Sequence, residues 1–403
     1  MLQELARAGR QSLLLDFATD PAQRCPRPED DRVRLLSPPE SLLAFNGGVY
    51  GLRLPDDGRV VEIQHHEVHL ARLVRLAAAI TTSSAGCTQP SWKAVVGTEW
   101  WLNEVLTAVE PHTVLVSNDT SPLGVLSVHC AQRRRINTVH VQHGAWTAES
   151  VSWAALHSRD IVVMGERDVP LAQAWARHPR AQVHVLGQPR FDALAELDRD
   201  SHRRFLEAML VHSAGPTPAG IAVWACQPLV PHRLQAQAEL LLDGLQRADG
   251  DWGLVVAPHP AQSRDALQSL FHRPGGPPTA VADHAVGARG CLAGADVLAS
   301  AYSTCGIEAV LLNIPVLELG LPGEHTLGLA EQGLAQKCGS ADDIAHALNE
   351  LSQGRSRITR KNVDAVCRWR GTSAADIARL IIPRADQQQS ESGSSAMEGT
   401  TTS

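Results

Sequence analysis

Short apolar runs alternate with helical patterns along most of this chain. Thr113-Val114-Leu115-Val116 is typical of a buried strand, residues 122–133 of a helix, and residues 137–141 of a second strand. A strand, a helix and a strand in this order form a βαβ unit, in which the two strands run parallel. The pattern therefore predicts an α/β protein built on parallel sheets.

The same alternation continues to about residue 382. It predicts further strands at 159–165, 181–187, 220–224, 252–257 and 296–299 and after Pro315, and helices at 98–109, 232–247, 306–312, 342–351 and 374–382. Gln188-Pro189-Arg190 interrupts it between two α/β halves. We therefore expect two Rossmann-like domains, residues 1–187 and 188–385, that face each other across a cleft where ligands of such folds usually bind.

The two ends of the chain are less regular. Residues 61–80 have a helical pattern, on which His65 and His69 would share one face at a spacing that suits a metal ion. The pattern is not H-E-x-x-H, and a solvated helix face explains it as well. We expect no metal site. Residues 386–403 are almost entirely polar and are predicted to be a disordered tail.

Composition and charge exclude several classes of function. The net charge of −7 gives no positive surface for nucleic acid, and the eight cysteines include no C-x-x-C pair, which favours reduced thiols. The N-terminus lacks the features of a signal peptide, and no apolar run approaches the roughly 18 residues of a membrane span. We expect a cytoplasmic protein, with peripheral association at the inner face of a membrane left open.

The segment from residue 296 to 319 carries the most specific chemical signal. An apolar strand leads into the turn Ser303-Thr304, and a short helix and a second strand follow. The first N–H groups of a helix attract anions, and the two hydroxyls would add donors. Glu308 lies one helical turn further on. This arrangement predicts phosphate at Ser303 and Thr304 with ribose hydroxyls on Glu308, although serine and threonine also cap helices without any ligand.

Two histidines follow predicted strands, at the sheet edge where α/β proteins bind ligands. His143 stands beside Gly144, which allows close approach of the backbone to a ligand, and could act as an acid, a base or a phosphate donor. A hydrogen-bonded structural histidine is the alternative. His259 lies between Pro258 and Pro260, which stiffen the backbone and favour a role in a site.

Arg190 and Asp119 complete the set of candidate residues. Arg190, in the Gly187–Asp192 segment at the expected domain boundary, could reach a phosphate or could pair with Asp192 and brace a hinge. Asp119 follows a strand and is a candidate general base, but Asx turns of this composition are commonly structural. Neither a P-loop, nor a G-x-S-x-G motif, nor a dinucleotide-binding fingerprint is present, which weighs against the corresponding enzyme classes.

Four segments together resemble a known family pattern: Gln142-His143-Gly144, Gly187–Asp192, His259-Pro260, and Ser303-Thr304 followed by Glu308. In order and spacing they are similar to the GT-B glycosyltransferase-like proteins of bacterial surface and capsule polysaccharide synthesis. These include Kdo transferases, bacterial sialyl- and polysialyltransferases and CDP-glycerol glycerophosphotransferases. The resemblance covers about residues 110–320. It implies a GT-B fold and transfer of a sugar or polyol phosphate, without metal or cofactor, from a CMP- or CDP-linked donor to a surface polysaccharide or glycolipid.

The resemblance also implies roles for individual residues. His259 and Pro260 would contact the cytidine nucleotide, Ser303 and Thr304 its phosphate, and Glu308 the ribose. The acidic-Gly motif that supplies the general base in these enzymes is not evident here, so Asp119 and His143 are the candidate bases. Two alternatives stay open: an enzyme resembling UDP-N-acetylglucosamine 2-epimerase, which shares the fold, and a non-catalytic GT-B scaffold in glycan assembly.

Overall fold

The computed structural model describes the chain in two compact units. The described residues are 1–18, 24–39, 60–63, 66–69, 92–147, 155–214, 217–259, 262–271, 273–352 and 360–382. The first unit comprises those within Met1–Val139, His157–Arg159 and Ala378–Ser403, and the second those within His140–Leu156 and Asp160–Ile377. Residues 160–187 are grouped with the second unit, and the expected domain boundary between residues 187 and 188 stays a prediction.

The first unit combines short strands with two longer helices. Its elements are α1 (Leu2–Arg7), β1 (Ser12–Leu15), β2 (Val33–Leu36), β3 (Val60–Ile63), β4 (His66–His69), α2 (Trp92–Val109), β5 (Thr113–Val116), α3 (Pro122–Arg133) and the start of β6 (Asn137–Val141). β1 and β2 pair in parallel. Ser121 caps α3, since its hydroxyl accepts a hydrogen bond from Gly124 N, and Pro122 occupies the first helical position, where no N–H is needed.

One prediction for this unit is wrong. Residues 60–63 and 66–69 form an antiparallel pair, β3 with β4, in place of the start of a helix at 61–80. His69 therefore lies in a strand, and the spacing proposed for His65 and His69 assumed a helix. His65 itself, residues 70–80 and the polar tail at 386–403 lie outside the described residues.

The second unit begins with two parallel strands and a small apolar core. The elements are β7 (Asp160–Val163), a 3-10 turn (Glu166–Asp168), α4 (Val169–Trp175), β8 (Gln182–Val185) and a 3-10 helix (Pro189–Glu196). The order of the four-stranded sheet is β5-β6-β7-β8. Trp146, Leu156 and Trp175 pack with the buried side chains of β7.

A six-stranded parallel sheet forms the larger part of the second unit. Its strands are β9 (Gly220–Ala225), β10 (Trp252–Ala257), β11 (Thr279–Val281), β12 (Val297–Ser300), β13 (Val316–Leu319) and β14 (Gln336–Cys338), in the order β11-β10-β9-β12-β13-β14. The continuous apolar sequences of the inner strands fit burial on both faces. Alternation along β9 shows this directly, because Ile221 and Val223 belong to one apolar core and Ala222 and Trp224 to the other.

Helices connect these strands, as parallel pairing requires. They are α5 (Arg199–Ala214), α6 (Pro231–Arg247), α7 (Arg264–Phe271), α8 (Gly287–Leu292), α9 (Cys305–Leu311), α10 (Ala341–Ser352), α11 (Arg360–Val366) and α12 (Ser373–Ile381), the last running into the first unit. The predicted strands and helices of this region are confirmed to within a few residues. In the described part of the chain, no helix is both long enough and apolar enough to cross a membrane.

Candidate functional site

The strand order of the six-stranded sheet indicates where a ligand would bind. Taking β9 as the first strand, the order is 3-2-1-4-5-6, and the direction of the connections reverses between β9 and β12. Open parallel sheets bind ligands outside the carboxyl ends of their strands at this reversal. The segments at this point are residues 226–230 after β9 and residues 301–304 after β12.

Gln227 joins these two segments. Its side-chain Oε1 accepts a hydrogen bond from Tyr302 N at 3.0 Å, and its main-chain oxygen accepts one from Gln262 Nε2 at 2.9 Å. The sequence reading missed Gln227. The signal was available, because Gln227 follows β9 in the same way that His259 follows β10.

The Ser303-Thr304 turn presents two hydroxyl groups. Ser303 Oγ accepts a hydrogen bond from Cys305 N at 3.3 Å, and Thr304 Oγ1 accepts one from Ala145 N at 2.9 Å. Thr304 precedes α9 but its side chain makes no capping hydrogen bond to that helix. Since both hydroxyls act as acceptors in these bonds, each keeps a proton to donate. Because α9 has only seven residues, the two hydroxyls would contribute more to the binding of an anion here than the helix itself.

The loop after β6 lies against this turn. A Cβ atom on Gly144 would stand 3.4 Å from Thr304 Oγ1, which is van der Waals contact distance. Ala145 and Thr304, which the hydrogen bond joins, are 159 residues apart in the sequence. His143, next to Gly144, is exposed. The structure therefore brings two of the predicted segments together.

A buried amide and a buried carboxyl group hold the loop in this position. Gln142 Nε2 donates to Gly144 O and to Asp168 Oδ2, both at 3.0 Å. Burial raises the pKa of Asp168, and the neighbouring Arg167 opposes the rise. Arg167 Nη1 in turn donates to Leu327 O at 2.9 Å. The contacts of Gln142 with Asp168 and of Arg167 with Leu327 could not be read from the sequence, since they join distant segments.

Arg190, Arg289 and Glu308 form an ionic cluster. Arg190 Nη2 lies 3.1 Å from Glu308 Oε1, and Arg289 Nε lies 3.8 Å from Glu308 Oε2. The Glu308 carboxyl is buried, which raises its pKa, while the two guanidinium groups act in the opposite direction. Both guanidinium groups are partly exposed. Two cations and one carboxylate leave an excess positive charge on the exposed side, which suits a phosphate.

Glu308 therefore contacts arginine side chains in this structure, and its expected contact with ribose stays a prediction. Arg190 pairs with Glu308, not with Asp192, whose carboxylate instead accepts hydrogen bonds from Ser373 N and Ala374 N. Arg289 was missed, because nothing in the sequence around it suggests a site.

His259 lies directly beyond β10. Its backbone N–H donates to Gln262 Oε1 at 2.9 Å, and Gln262 O lies 2.8 Å from His284 Nε2. Partial burial lowers the pKa of His259. The neutral ring is thus favoured at neutral pH, where it would contact a nucleobase or a phosphate without a charge. Pro260 lies outside the described residues.

The lowered pKa of His259 predicts a specific pH dependence of stability. A histidine whose folded-state pKa is below its unfolded value stabilises the fold above the unfolded pKa, and this contribution is lost as the pH falls through the folded pKa. Between about pH 7.5 and about pH 5, His259→Gln should therefore lose less unfolding free energy than the unmodified protein. The difference should be below about 1 kcal/mol, since the ring is only partly buried. Urea unfolding across this range measures it, with His284→Gln as the control; parallel profiles for His259→Gln and the unmodified protein would contradict the prediction.

Asp119 belongs to the first unit, unlike the other described candidates. It is fully buried, and its Oδ2 accepts hydrogen bonds from His157 N at 3.0 Å and Ser158 N at 2.8 Å. These bonds hold residues 157–158, which is a structural task. The assignment of Asp119 as a general base stays a prediction.

Comparison with known proteins identifies the fold. No protein-family model and no curated protein matches this sequence. Among solved structures, Staphylococcus aureus MnaA in a co-structure with UDP aligns with a TM-score of 0.53 at 14% identity, over 91% of this chain and 94% of that one. UDP-GlcNAc 2-epimerase from Methanocaldococcus jannaschii aligns with a TM-score of 0.51 at 12% identity, over 76% of this chain and 89% of that one. The chain has a GT-B fold. The α/β class and the GT-B type predicted from the sequence are thereby confirmed.

A further solved structure aligns with most of the chain. MurG from Acinetobacter baumannii aligns over 94% of this chain and 93% of its own, at 11% identity and a TM-score of 0.45. At such identities a structural likeness concerns the fold and not the activity. The argument for function therefore rests on the residues of the site.

Proposed function

We propose that the second unit binds a nucleotide-activated sugar at the carboxyl ends of β9 and β12, and that the protein is a GT-B enzyme acting on that sugar. The observation that carries the proposal is the concentration of anion-binding groups around α9. Thr304 with its donor hydroxyl and Glu308 with its two arginines stand one helical turn apart, linked by the hydrogen bond from Glu308 N to Thr304 O at 3.2 Å.

These groups suit the chemistry of a nucleotide leaving group. When the bond between sugar and phosphate breaks, negative charge grows on the phosphate. The hydroxyls of Ser303 and Thr304 and the guanidinium groups of Arg190 and Arg289 are donors or cations already held in place, and preorganised groups of this kind stabilise such charge effectively. This step is common to a glycosyltransferase and to an epimerase that releases the nucleotide.

The nucleotide and the reaction type are separate parts of the proposal. The sequence resemblance favours a CMP- or CDP-linked donor and transfer to a glycan or glycolipid. Two fold relatives with TM-scores above 0.5 favour uridine, since one was solved with UDP and the other is a UDP-GlcNAc 2-epimerase. We propose a uridine nucleotide, with an epimerase and a transferase as the two candidate activities.

A base that removes a proton from substrate is needed in either activity. His143 is exposed and adjoins Gly144, which lies against the Thr304 turn, so it is our first candidate. Asp119, the other candidate from the sequence, ranks second, because it is fully buried and its Oδ2 already accepts two backbone hydrogen bonds. His143→Ala should abolish turnover while nucleotide binding is retained.

A nucleotide screen tests the proposal. UDP, UMP, CDP and CMP are added to the purified protein, and the thermal unfolding temperature is recorded. A ligand at about 100 times its Kd stabilises a fold by about 2.7 kcal/mol, a clearly measurable shift. Stabilisation by none of the four would overturn the proposal.

Thr304→Val should weaken binding of the responding nucleotide about tenfold, because the variant loses a hydroxyl that donates to a charged phosphate. Thr304→Ser keeps the hydroxyl and should bind normally. Thr279→Val is a control that makes the same change away from the site, because Thr279 lies at the amino end of β11. This variant should also bind normally. Titration calorimetry compares the three variants, and equal affinities for all would remove Thr304 from the site.

Turnover separates the two activities. An epimerase converts the nucleotide sugar without any acceptor, which is visible by NMR of the sugar protons. A transferase requires a glycan acceptor. Nucleotide binding with neither reaction would favour the non-catalytic scaffold.

A further inference from the structure

A buried ion pair lies beside the loop that follows β6. Arg167 and Asp168 are neighbours in the 3-10 turn between β7 and α4, and Arg167 Nε lies 3.3 Å from Asp168 Oδ1. The side chain of Arg167 is 11% exposed and that of Asp168 is 1% exposed. Burial of two charges is costly, and apolar residues often fill such a position equally well. Fold stability alone is therefore a weak explanation for this pair.

Arg167 donates hydrogen bonds to the backbone carbonyl groups of two different segments. Nη2 donates to Trp146 O at 3.3 Å, and Nη1 donates to Leu327 O at 2.9 Å. Trp146 lies in the loop after β6, and Leu327 lies between β13 and β14. Because a guanidinium group presents its donors in a rigid planar fork, it fixes these two segments relative to each other.

Both segments bind to the Thr304 turn or to the backbone that leads into it. Ala145 N donates to Thr304 Oγ1 at 2.9 Å, one residue before the carbonyl that Arg167 holds. Leu327 N donates to Ala301 O at 3.1 Å. Arg167 therefore supports the turn from two sides through neighbouring backbone.

Asp168 holds the same loop through Gln142. One amide nitrogen of Gln142 donates both to Asp168 Oδ2 and to Gly144 O, so both of its protons are used. The amide oxygen accepts a hydrogen bond from Met164 N at 2.8 Å. A reversed amide would place its oxygen against the carboxylate of Asp168 and the carbonyl of Gly144. The carboxylate thus fixes the orientation of Gln142 and, through it, the position of Gly144.

The position of this loop determines how the Thr304 hydroxyl can donate. The hydroxyl accepts a hydrogen bond from Ala145 N, so its own proton points elsewhere. Donors stabilise the charge of a phosphate most effectively when they are held in place before the ligand arrives.

We infer that Arg167 and Asp168 are positioning residues of the nucleotide site, which orient the Thr304 hydroxyl towards the phosphate without touching the ligand. Arg167 holds the two flanking segments, and Asp168 fixes the loop through Gln142. This inference rests on the proposed function and goes beyond it, because it assigns a role in binding to a buried ion pair behind the site.

Titration calorimetry with UDP tests the inference on the double variant Arg167→Met/Asp168→Asn. The two substitutions remove both charges together, so that neither charge is left buried without its partner, which would endanger the fold. The asparagine keeps an oxygen that can accept from Gln142. UDP should bind about threefold to tenfold more weakly, a loss no larger than that expected for Thr304→Val. Unchanged affinity would overturn the inference.

Arg203→Met/Asp296→Asn is the matched control. Arg203 pairs with Asp296 and donates to Ala219 O at 3.3 Å, and Asp296 accepts a hydrogen bond from Ile221 N at 2.7 Å. This pair lies at the amino ends of β9 and β12, away from the site. The control should bind UDP as the unmodified protein does. An equal loss in the control would show a general loosening of the fold and would contradict a positioning role.

The same double substitution in a Thr304→Val protein separates positioning from indirect destabilisation. Since the hydroxyl is already absent there, Arg167→Met/Asp168→Asn should lower UDP affinity by less than about twofold. A loss as large as in the protein that retains Thr304 would mean that the pair does not act through this hydroxyl, and the inference would be wrong.

Hydrogen exchange without nucleotide gives a readout that is independent of the ligand. The N–H of Ala145 should exchange on the order of tenfold faster in Arg167→Met/Asp168→Asn, at a temperature where the protein is folded, and at an unchanged rate in the control. Equal rates in both would overturn the inference whatever the ligand is. Absence of UDP, UMP, CDP and CMP binding in the unmodified protein would instead overturn the proposed function, and exchange at Ala145 would still decide whether the pair positions the turn.

Discussion

Gly187→Ala should lower the unfolding free energy of the second unit by more than about 3 kcal/mol. Gly187 has φ of +82°, a conformation that costs a residue with a Cβ about 1–2 kcal/mol. The added Cβ would also stand 2.2 Å from Arg368 O and 2.6 Å from Ser373 Oγ. Since the closest of these atoms is backbone, it cannot move aside cheaply. The combined cost of backbone strain and steric overlap therefore exceeds the strain alone. At about 2–4 °C per kcal/mol, the unfolding temperature should fall by more than about 6 °C.

Gly371→Ala separates the two causes. Gly371 has a similar φ of +70°, but no heavy atom lies within 4 Å of the position of its Cβ. This variant should lose only the strain of about 1–2 kcal/mol. Calorimetric unfolding of both variants gives the comparison. Equal losses would show that the contact with Arg368 does not restrict residue 187.

The same substitution should affect the site. Gly187 leads directly to Gln188, whose Nε2 donates to Gln142 O, and to Arg190, which pairs with Glu308. A shift of this backbone would move Arg190 away from the cluster. Any Gly187→Ala protein that still folds should therefore bind UDP more weakly than Gly371→Ala.

Trp224→Ala should destabilise the second unit by about 3–5 kcal/mol, which corresponds to about 6–20 °C in unfolding temperature. Trp224 lies in β9, is fully buried, and packs against Phe271 with ring centroids 5.1 Å apart. Removal of the indole leaves a large cavity between the sheet and its helices. Since β9 also carries Gln227 beyond its end, nucleotide affinity should fall as well.

Trp224→Phe is the informative control. The indole Nε1 of Trp224 is buried and has no hydrogen-bond partner in the part of the chain that the structure describes. Phenylalanine removes this unsatisfied donor, which offsets part of the lost packing, so the loss should stay below about 2 kcal/mol. A Trp224→Phe protein as unstable as Trp224→Ala would show that the volume of the indole, not an apolar ring, is required.

Much of the fold followed from local sequence. The strands β9, β10 and β12 were predicted because parallel strands buried on both faces require continuous apolar runs. The same kind of run predicted β5, whose residues are only partly buried. The helix α3 was predicted because Pro122 and a serine before it mark a helix start. The pair β3–β4 was missed because its two short segments are strands only through pairing with each other. Each segment is too short for its periodicity to distinguish a strand from a helix.

The candidate site, like the fold, was predicted only in part from the sequence. The sequence by itself determined which polar residues directly follow strands. His143 follows β6, His259 follows β10 and the Ser303-Thr304 turn follows β12. Only the tertiary structure decided their partners. Arg289 reaches Glu308, Ala145 binds Thr304, and Arg167 reaches Leu327 across 160 residues. Such contacts depend on how helices and loops pack over the sheet, and local periodicity carries no information about packing between distant segments.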